Sequence, residues 1–223
     1  MMQSLVDEAI VLRRTKLKET DLIITLLTRS YGKVSVVAKG ARKVGSRFAG
    51  LELFNRVRVK WTLSKRLGYV NEVEVEQGFG EKLAAEYELF ECASQMTSLT
   101  EMSISDEFMP TEQQYLLLLR ALKMLLTPLP DGLTANLVSL SFTLRTLALI
   151  GFELDTDNVE QSGVYIPKGL TQADVSGFLD ALMAGDWAGV AELTRKNPNL
   201  EKELSKSIAM FAMSNLDVKL KAF

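Results

Sequence analysis

The chain has 223 residues, 47% hydrophobic and 24% charged, with a net charge of −2. That composition supplies a core for one large domain or two small ones and excludes a chain disordered throughout. Histidine is absent and Cys92 is the single cysteine. This excludes the usual serine-protease triad, an internal disulfide, a cysteine-based zinc site and most other zinc sites, and it disfavours an enzyme.

The opening "MMQSLVDEAIVLRR" lacks the form of a signal peptide, because Asp7 and Glu8 interrupt it and no positive head precedes an apolar run. The longest uncharged stretch, between Asp131 and Arg145, runs about 13 residues, where roughly 18 are needed to cross a bilayer. A cytoplasmic location is the expectation, with no membrane partner.

Residues 1–80 hold 15 Lys and Arg against 8 Asp and Glu, or +7; residues 81–223 hold 11 against 20, or −9. A basic module joined to an acidic one is expected, with nucleic acid a candidate partner of the first.

The first half alternates with strand period. "EAIVLRR", "DLIITLLT" and "KVSVVAKG" are β-rich runs, the second and third separated around Gly32. "LFNRVRVKWTL" places Val57, Val59 and Trp61 on one face and Arg56, Arg58 and Lys60 on the other. "YVNEVEVEQG" sets Val73 and Val75 against Glu72, Glu74 and Glu76, whose face reads as exposed or partner-facing. Five strands in about 75 residues predict a small closed barrel over 1–79.

From about residue 80 the period is helical. "GEKLAAEYELFECASQMTSL" spaces Leu83, Tyr87 and Phe90 along one face. "PTEQQYLLLLRALKMLLTP" opens with a capping box, Thr111 to Gln114, and stops before Pro128. "ANLVSLSFTLRTLALIG" aligns Leu137, Leu140, Leu144 and Leu147. Thr171 caps the next helix, a short one surrounds Trp187, and the last starts after Pro198. About six helices over 80–223 predict a bundle. The segment 152–169, "FELDTDNVEQSGVYIPKG", fits neither period and reads as an irregular excursion.

The densest positive charge lies in "KGARKVGSRFAG", residues 39–50, with Lys39, Arg42, Lys43, Arg47, three glycines and no acid. Its G-x-x-x-x-G pattern is not a phosphate-binding loop of the nucleotide triphosphatases: Ser46 and Arg47 stand where Lys and then Ser or Thr belong, and no helix follows. "DTDN" at 155–158 lacks the glycine and glutamate of a calcium loop, with Glu160 and Ile166 in their places. Nothing selects a glycosidase-type acid pair. The basic loop reads either as solvated surface or as a phosphate contact. The stripe Arg56, Arg58 and Lys60, with Lys65 and Arg66 beyond it and Trp61 and Tyr69 nearby, favours the phosphate contact. Trp61 shares the parity of Val57 and Val59 and belongs in the core.

The run from Glu8 to Val59 resembles the N-terminal domain of the bacterial recombination mediator RecO family. "E-A-I-V-L", the "E-T-D" turn, "L-T-R…Y-G-K", "A-K-G-A-R" and "S-R-F…L-E-L-F" match its pattern in order. "LRTLALIGFELD" further on resembles the family's helix leading into "G-F-x-P-x-L". The resemblance implies an α+β protein, an oligonucleotide-binding (OB-fold) five-stranded barrel followed by an all-helical domain, with no enzymatic activity. It implies binding of single- and double-stranded DNA, annealing of complementary strands and, with RecR, help in loading RecA onto DNA coated by single-stranded DNA-binding protein. It implies too that the tail of the single-stranded DNA-binding protein docks on the helical half, where Arg120, Lys123 and Arg145 are the candidates for receiving its terminal carboxylate. Many members carry a four-cysteine zinc site after "G-F". Residues 152–169 hold no cysteine, so no metal and no cofactor are expected, and packing must hold that loop. The rival readings are a module whose basic barrel takes an acidic protein partner instead of DNA, and a hydrolase or nuclease built on a carboxylate cluster.

Overall fold

The computed structural model describes residues 4–63, 67–104, 111–152 and 154–216. Five strands, β1 (Ser4–Leu17), β2 (Asp21–Thr28), β3 (Gly32–Ala38), β4 (Arg56–Thr62) and β5 (Gly68–Gln77), close a barrel in the order β1-β2-β3-β5-β4. All neighbours are antiparallel except β3 and β5, which pair in parallel through Val36 with Gly68 and Val37 with Tyr69. This is the OB-fold.

The sequence explains the closure. Ala9, Val11, Leu22, Ile24, Leu26, Val34, Val36, Val57, Val59, Trp61 and Val70 alternate inward and are buried together. Trp61 is fully buried and meets Tyr31 edge-on, with ring centroids 5.6 Å apart. β1 and β2 carry near-continuous apolar runs because both their faces are covered. Ile10, Leu12 and Leu27 are buried outside the barrel interior, on strands that α2 (Tyr87–Ser103) and α3 (Glu112–Leu125) meet. A bulge between Val11 and Arg13 accommodates Leu12.

The described helices number seven. The run expected from residue 80 breaks at 85–86, so α1 (Gly80–Ala84) precedes α2. β4 starts at Arg56, three residues later than its alternation implied, because Phe54 takes φ +69° and turns the chain into the barrel. Thr111 precedes α3, but its side chain makes no cap hydrogen bond, and its Oγ1 is buried with no partner among the described residues. α4 (Ala135–Leu149) is capped by Thr134, and α5 (Gln172–Ala184) by a reciprocal box between Thr171 and Asp174. α6 (Trp187–Lys196) and α7 (Leu200–Leu216) follow.

By packing, the chain divides into two compact units, Met1–Leu126 and Thr127–Phe223. The first joins the barrel to α1, α2 and α3; the second holds α4–α7. Within the second, residues 154–169 form turns without helix or strand. Leu154, Val159 and Val164 are buried there, Asp155 accepts from the amides of Asp157 and Asn158, and Ser207 of α7 donates to the Tyr165 carbonyl at 3.0 Å. No helix among the described residues is long and apolar enough to cross a membrane.

Candidate nucleic-acid interface

The basic loop between β3 and β4 is a chain of turns. The amides of Lys43, Ser46, Ala49 and Leu51 each bond the carbonyl three residues back, at 3.0–3.1 Å. Gly40 and Gly45 have φ near +70°, a conformation strained for other residues. Phe48 and Leu51 drop into the barrel core and anchor the loop's far end, while the Asn55 amide donates to the Gly50 carbonyl at 3.1 Å. The near end is fastened to the turn between β1 and β2. Arg42 donates from its amide to the Thr20 carbonyl at 3.0 Å and from its guanidinium to the Glu19 carbonyl at 2.7 Å. The Gly40 amide donates to the Asp21 carboxylate at 2.8 Å, which holds that carboxyl below its usual range, with a smaller contribution from the Thr20 hydroxyl.

These bonds present Lys39, Arg42, Lys43 and Arg47 as exposed side chains, with Val44 fully exposed at the tip. Lys39 lies 4.5 Å above the centre of the Tyr69 ring and Arg47 4.7 Å from that of Phe48. Lys16 and Lys18, at the end of β1, are exposed as well. No local pattern in "TKLKETD" marks them; they join the loop because Arg42 and Gly40 grip the turn that follows β1. None of these six cations has an ion-pair partner among the described residues. The acids in these two segments are Glu19 and Asp21.

Other cations of the barrel are engaged. Arg13 pairs with Glu101 at 2.8 Å, Arg14 with Glu52, and Arg29 with Glu112 at 2.8 Å. Lys33 reaches the C-terminal end of α2, donating to the carbonyls of Glu101, at 2.8 Å, and Ile104. The stripe on β4, expected to present bare positive charge, is covered by acids. Lys60 pairs with Glu72 at 3.0 Å, Arg58 with Glu76 at 3.2 Å, and Arg56 with both Glu76 and Glu8 at 2.9 Å. The cause is register: antiparallel β4 and β5 bring the cations opposite the glutamates of "NEVEVEQ". Arg56 is only 20% exposed and also donates to the Tyr115 hydroxyl of α3 at 3.1 Å. Burial opposes its charge, but the bonds to Glu8 and Tyr115 raise its pKa above the ordinary arginine value. The same Arg56 bond lowers the Glu8 pKa. Burial pushes the Tyr115 hydroxyl up to about 12. These three groups are a structural knot within the first unit.

Lys65 and Arg66 lie outside the described residues. Arg120 and Lys123 are exposed on α3, in the first unit, and Arg145 is half-buried on α4, in the second. Among the described residues there is no group of three or more His, Cys, Asp or Glu side chains that could hold a metal.

The fold and its basic end define the chain as a protein with an OB-fold barrel at its front and helices behind. The family described as "Recombination protein O N terminal" matches residues 2–79. "DNA repair protein RecO" of Nocardioides sp. (strain ATCC BAA-499 / JS614) is 30% identical over 97% of this chain and 96% of its own length. The proteins of that name from Bifidobacterium longum (strain DJO10A) and Frankia casuarinae are each 35% identical over 82% of this chain and 83% of their own. The chain belongs to the RecO family, and its role lies in DNA repair and recombination.

Proposed function

We propose that this protein is a recombination mediator without enzymatic activity. It binds single- and double-stranded DNA and anneals complementary strands. With RecR it helps RecA replace single-stranded DNA-binding protein. One observation supports the DNA contact above the rest. The barrel's unpaired positive charge, Lys16, Lys18, Lys39, Arg42, Lys43 and Arg47, gathers where the β1–β2 turn and the β3–β4 loop are hydrogen-bonded together. Six cations with no ion-pair partner among the described residues release counterions when they meet phosphate, which drives association whatever the sequence. The paired stripe on β4 contributes little, because each acid would have to be displaced first.

Partner docking completes the proposal. Arg120 and Lys123 stand three residues apart on the exposed side of α3, one face of the helix. Such a pair can receive the terminal carboxylate of the single-stranded DNA-binding protein's tail. Arg145 is a separate candidate in the second unit. Alanine variants at each position, titrated with the tail peptide in free-acid and amidated forms, test this part. Equal binding of the two forms removes it.

Oligonucleotide titration at several salt concentrations tests the DNA contact. Each phosphate contact adds about 0.7 to the negative slope of log affinity against log salt for single strands. The triple variant Arg42→Ala, Lys43→Ala, Arg47→Ala is expected to flatten that slope by about 2. Unchanged slope and affinity would leave the loop free for an acidic protein partner instead.

A further inference from the structure

Resting on that reading, we infer that Tyr69 is the base-stacking platform of the interface, covered by Lys39 when no DNA is bound, and that it gives the protein its preference for unpaired bases.

The other aromatic rings of the barrel are withdrawn. Trp61, Phe48 and Phe54 are buried, and Tyr31 is half-buried against Trp61. Tyr69 alone among the described aromatics of residues 4–77 is exposed, at 39%. It stands where the barrel closes, paired with Val37 of β3 and Thr62 of β4. Gly68 fixes the backbone that carries it. A Cβ there would meet the Thr62 carbonyl at 2.7 Å and Trp61 and Val36 at 3.3 Å. β5 therefore starts pressed between its neighbours, and Tyr69 is set on a held strand.

The ring borders the unpaired cations. Lys39, the first cation of the basic loop, places its ammonium 4.5 Å from the ring centre. A cation over a ring at an exposed site is held weakly, and a phosphate oxygen is the stronger partner for an ammonium. A strand tracking along Arg42, Lys43 and Arg47 draws Lys39 to its backbone and uncovers the ring as the next base arrives. A base already stacked in a duplex has no free face to offer, so the platform serves single strands and the cations serve both.

The test compares full-length wild type, Tyr69→Leu, Tyr69→Phe and Tyr69→Trp on three ligands of equal length: an oligothymidylate, a duplex, and an abasic oligonucleotide that keeps every phosphate. Far-UV circular dichroism and melting temperature establish that each variant is folded. Tyr69→Leu is expected to lose roughly 5- to 100-fold in affinity for the oligothymidylate, to match wild type on the abasic strand, and to stay within about twofold on the duplex. Phe and Trp are expected to restore binding, because the ring and not the hydroxyl carries the contact. Loss spread equally over all three ligands, or none on the oligothymidylate, overturns the platform while leaving DNA binding intact. Failure of wild type to bind any of the three overturns the DNA reading itself.

Discussion

Arg56 on β4 and Glu76 on β5 form an ion pair at 2.9 Å in which both side chains are about four-fifths buried. The same guanidinium reaches Glu8 on β1, at 2.9 Å, and Tyr115 on α3. One arginine thus ties three barrel strands to a helix. Its replacement by methionine removes the charge that Glu8 and Glu76 share and leaves the Tyr115 hydroxyl without its donor. A loss of about 2–4 kcal/mol in unfolding free energy is expected, just below a fully buried pair. Urea denaturation measures it, and a loss under about 0.5 kcal/mol would show the knot to be decorative.

The knot contributes to both ends of the pH profile. Glu8 has its pKa lowered in the folded state, so its contribution is present above the unfolded carboxylate value, about 4.3, and is lost as pH falls through the folded one. Tyr115 is shifted the other way, to about 12. Its contribution is whole below the unfolded phenol value, about 10, and fades as pH rises towards 12. Glu8→Gln should flatten the acid limb of a stability–pH curve and Tyr115→Phe the alkaline limb. Chemical denaturation across pH 2–12 reads both, and an unchanged limb in either variant contradicts the corresponding assignment.

The β4 stripe separates charge count from available charge. Arg58 and Lys60 are 54% and 39% exposed, yet each holds a glutamate. The double variant Arg58→Ala, Lys60→Ala removes two positive charges, as many as Arg42→Ala, Lys43→Ala. The stripe variant should change the single-strand salt slope by less than about 0.5, and the loop variant by about 1.4. Equal effects would place the strand across the stripe as well.

The barrel was legible because its inward residues keep a two-residue period from Val57 to Trp61 and its turns are marked. The sites where the reading missed are instructive. The alternating cations of β4 were followed by the alternating acids of β5, and an antiparallel hairpin brings such runs face to face. The sequence displays both, but the acid face reads as exposed or partner-facing, with nothing to say that the partner is the neighbouring strand. Thr111 carries the residue types of a capping box, yet it is buried and its hydroxyl makes no cap hydrogen bond. Lys16 and Lys18 joined the interface through hydrogen bonds from Arg42 and Gly40 to the β1–β2 turn, which no local pattern announces. Phe54 at φ +69° likewise follows from the turn that closes the loop.

Residues 152–169 supply the metal test. Val159 and Val164 are fully buried and joined by a backbone hydrogen bond of 3.2 Å. Apolar anchoring of this kind needs no metal. The purified protein is expected to hold less than about 0.1 zinc per chain and to keep its melting temperature in chelator. Val159→Ala and Val164→Ala should each cost about 1–2 kcal/mol. One zinc per chain by elemental analysis, or unfolding by chelator, refutes this account.

Lys16 and Lys18 give the last prediction. Lys16 lies on β1 and Lys18 in the turn after it, separated in sequence from the loop by two strands, and nothing in their own segment selects them for DNA. Their case rests on the bonds between the β1–β2 turn and the loop. Arg42 donates twice to residues 19 and 20, and Gly40 donates to Asp21. The Asp21 carboxyl at that turn is held low by the Gly40 amide first and, to a smaller extent, by Lys18 and Lys39. If one strand crosses both, Lys16→Ala, Lys18→Ala should flatten the single-strand salt slope by about 1.4. Combined with the loop triple variant, the total change should approach about 3.5, since phosphate contacts of this kind count separately. Stability should hold within about 0.5 kcal/mol, as both side chains are solvated. A slope unaltered by the double variant would confine the contact to residues 39–47. A combined effect no larger than that of the loop variant would mean that Lys16 and Lys18 touch no phosphate that the loop does not already hold.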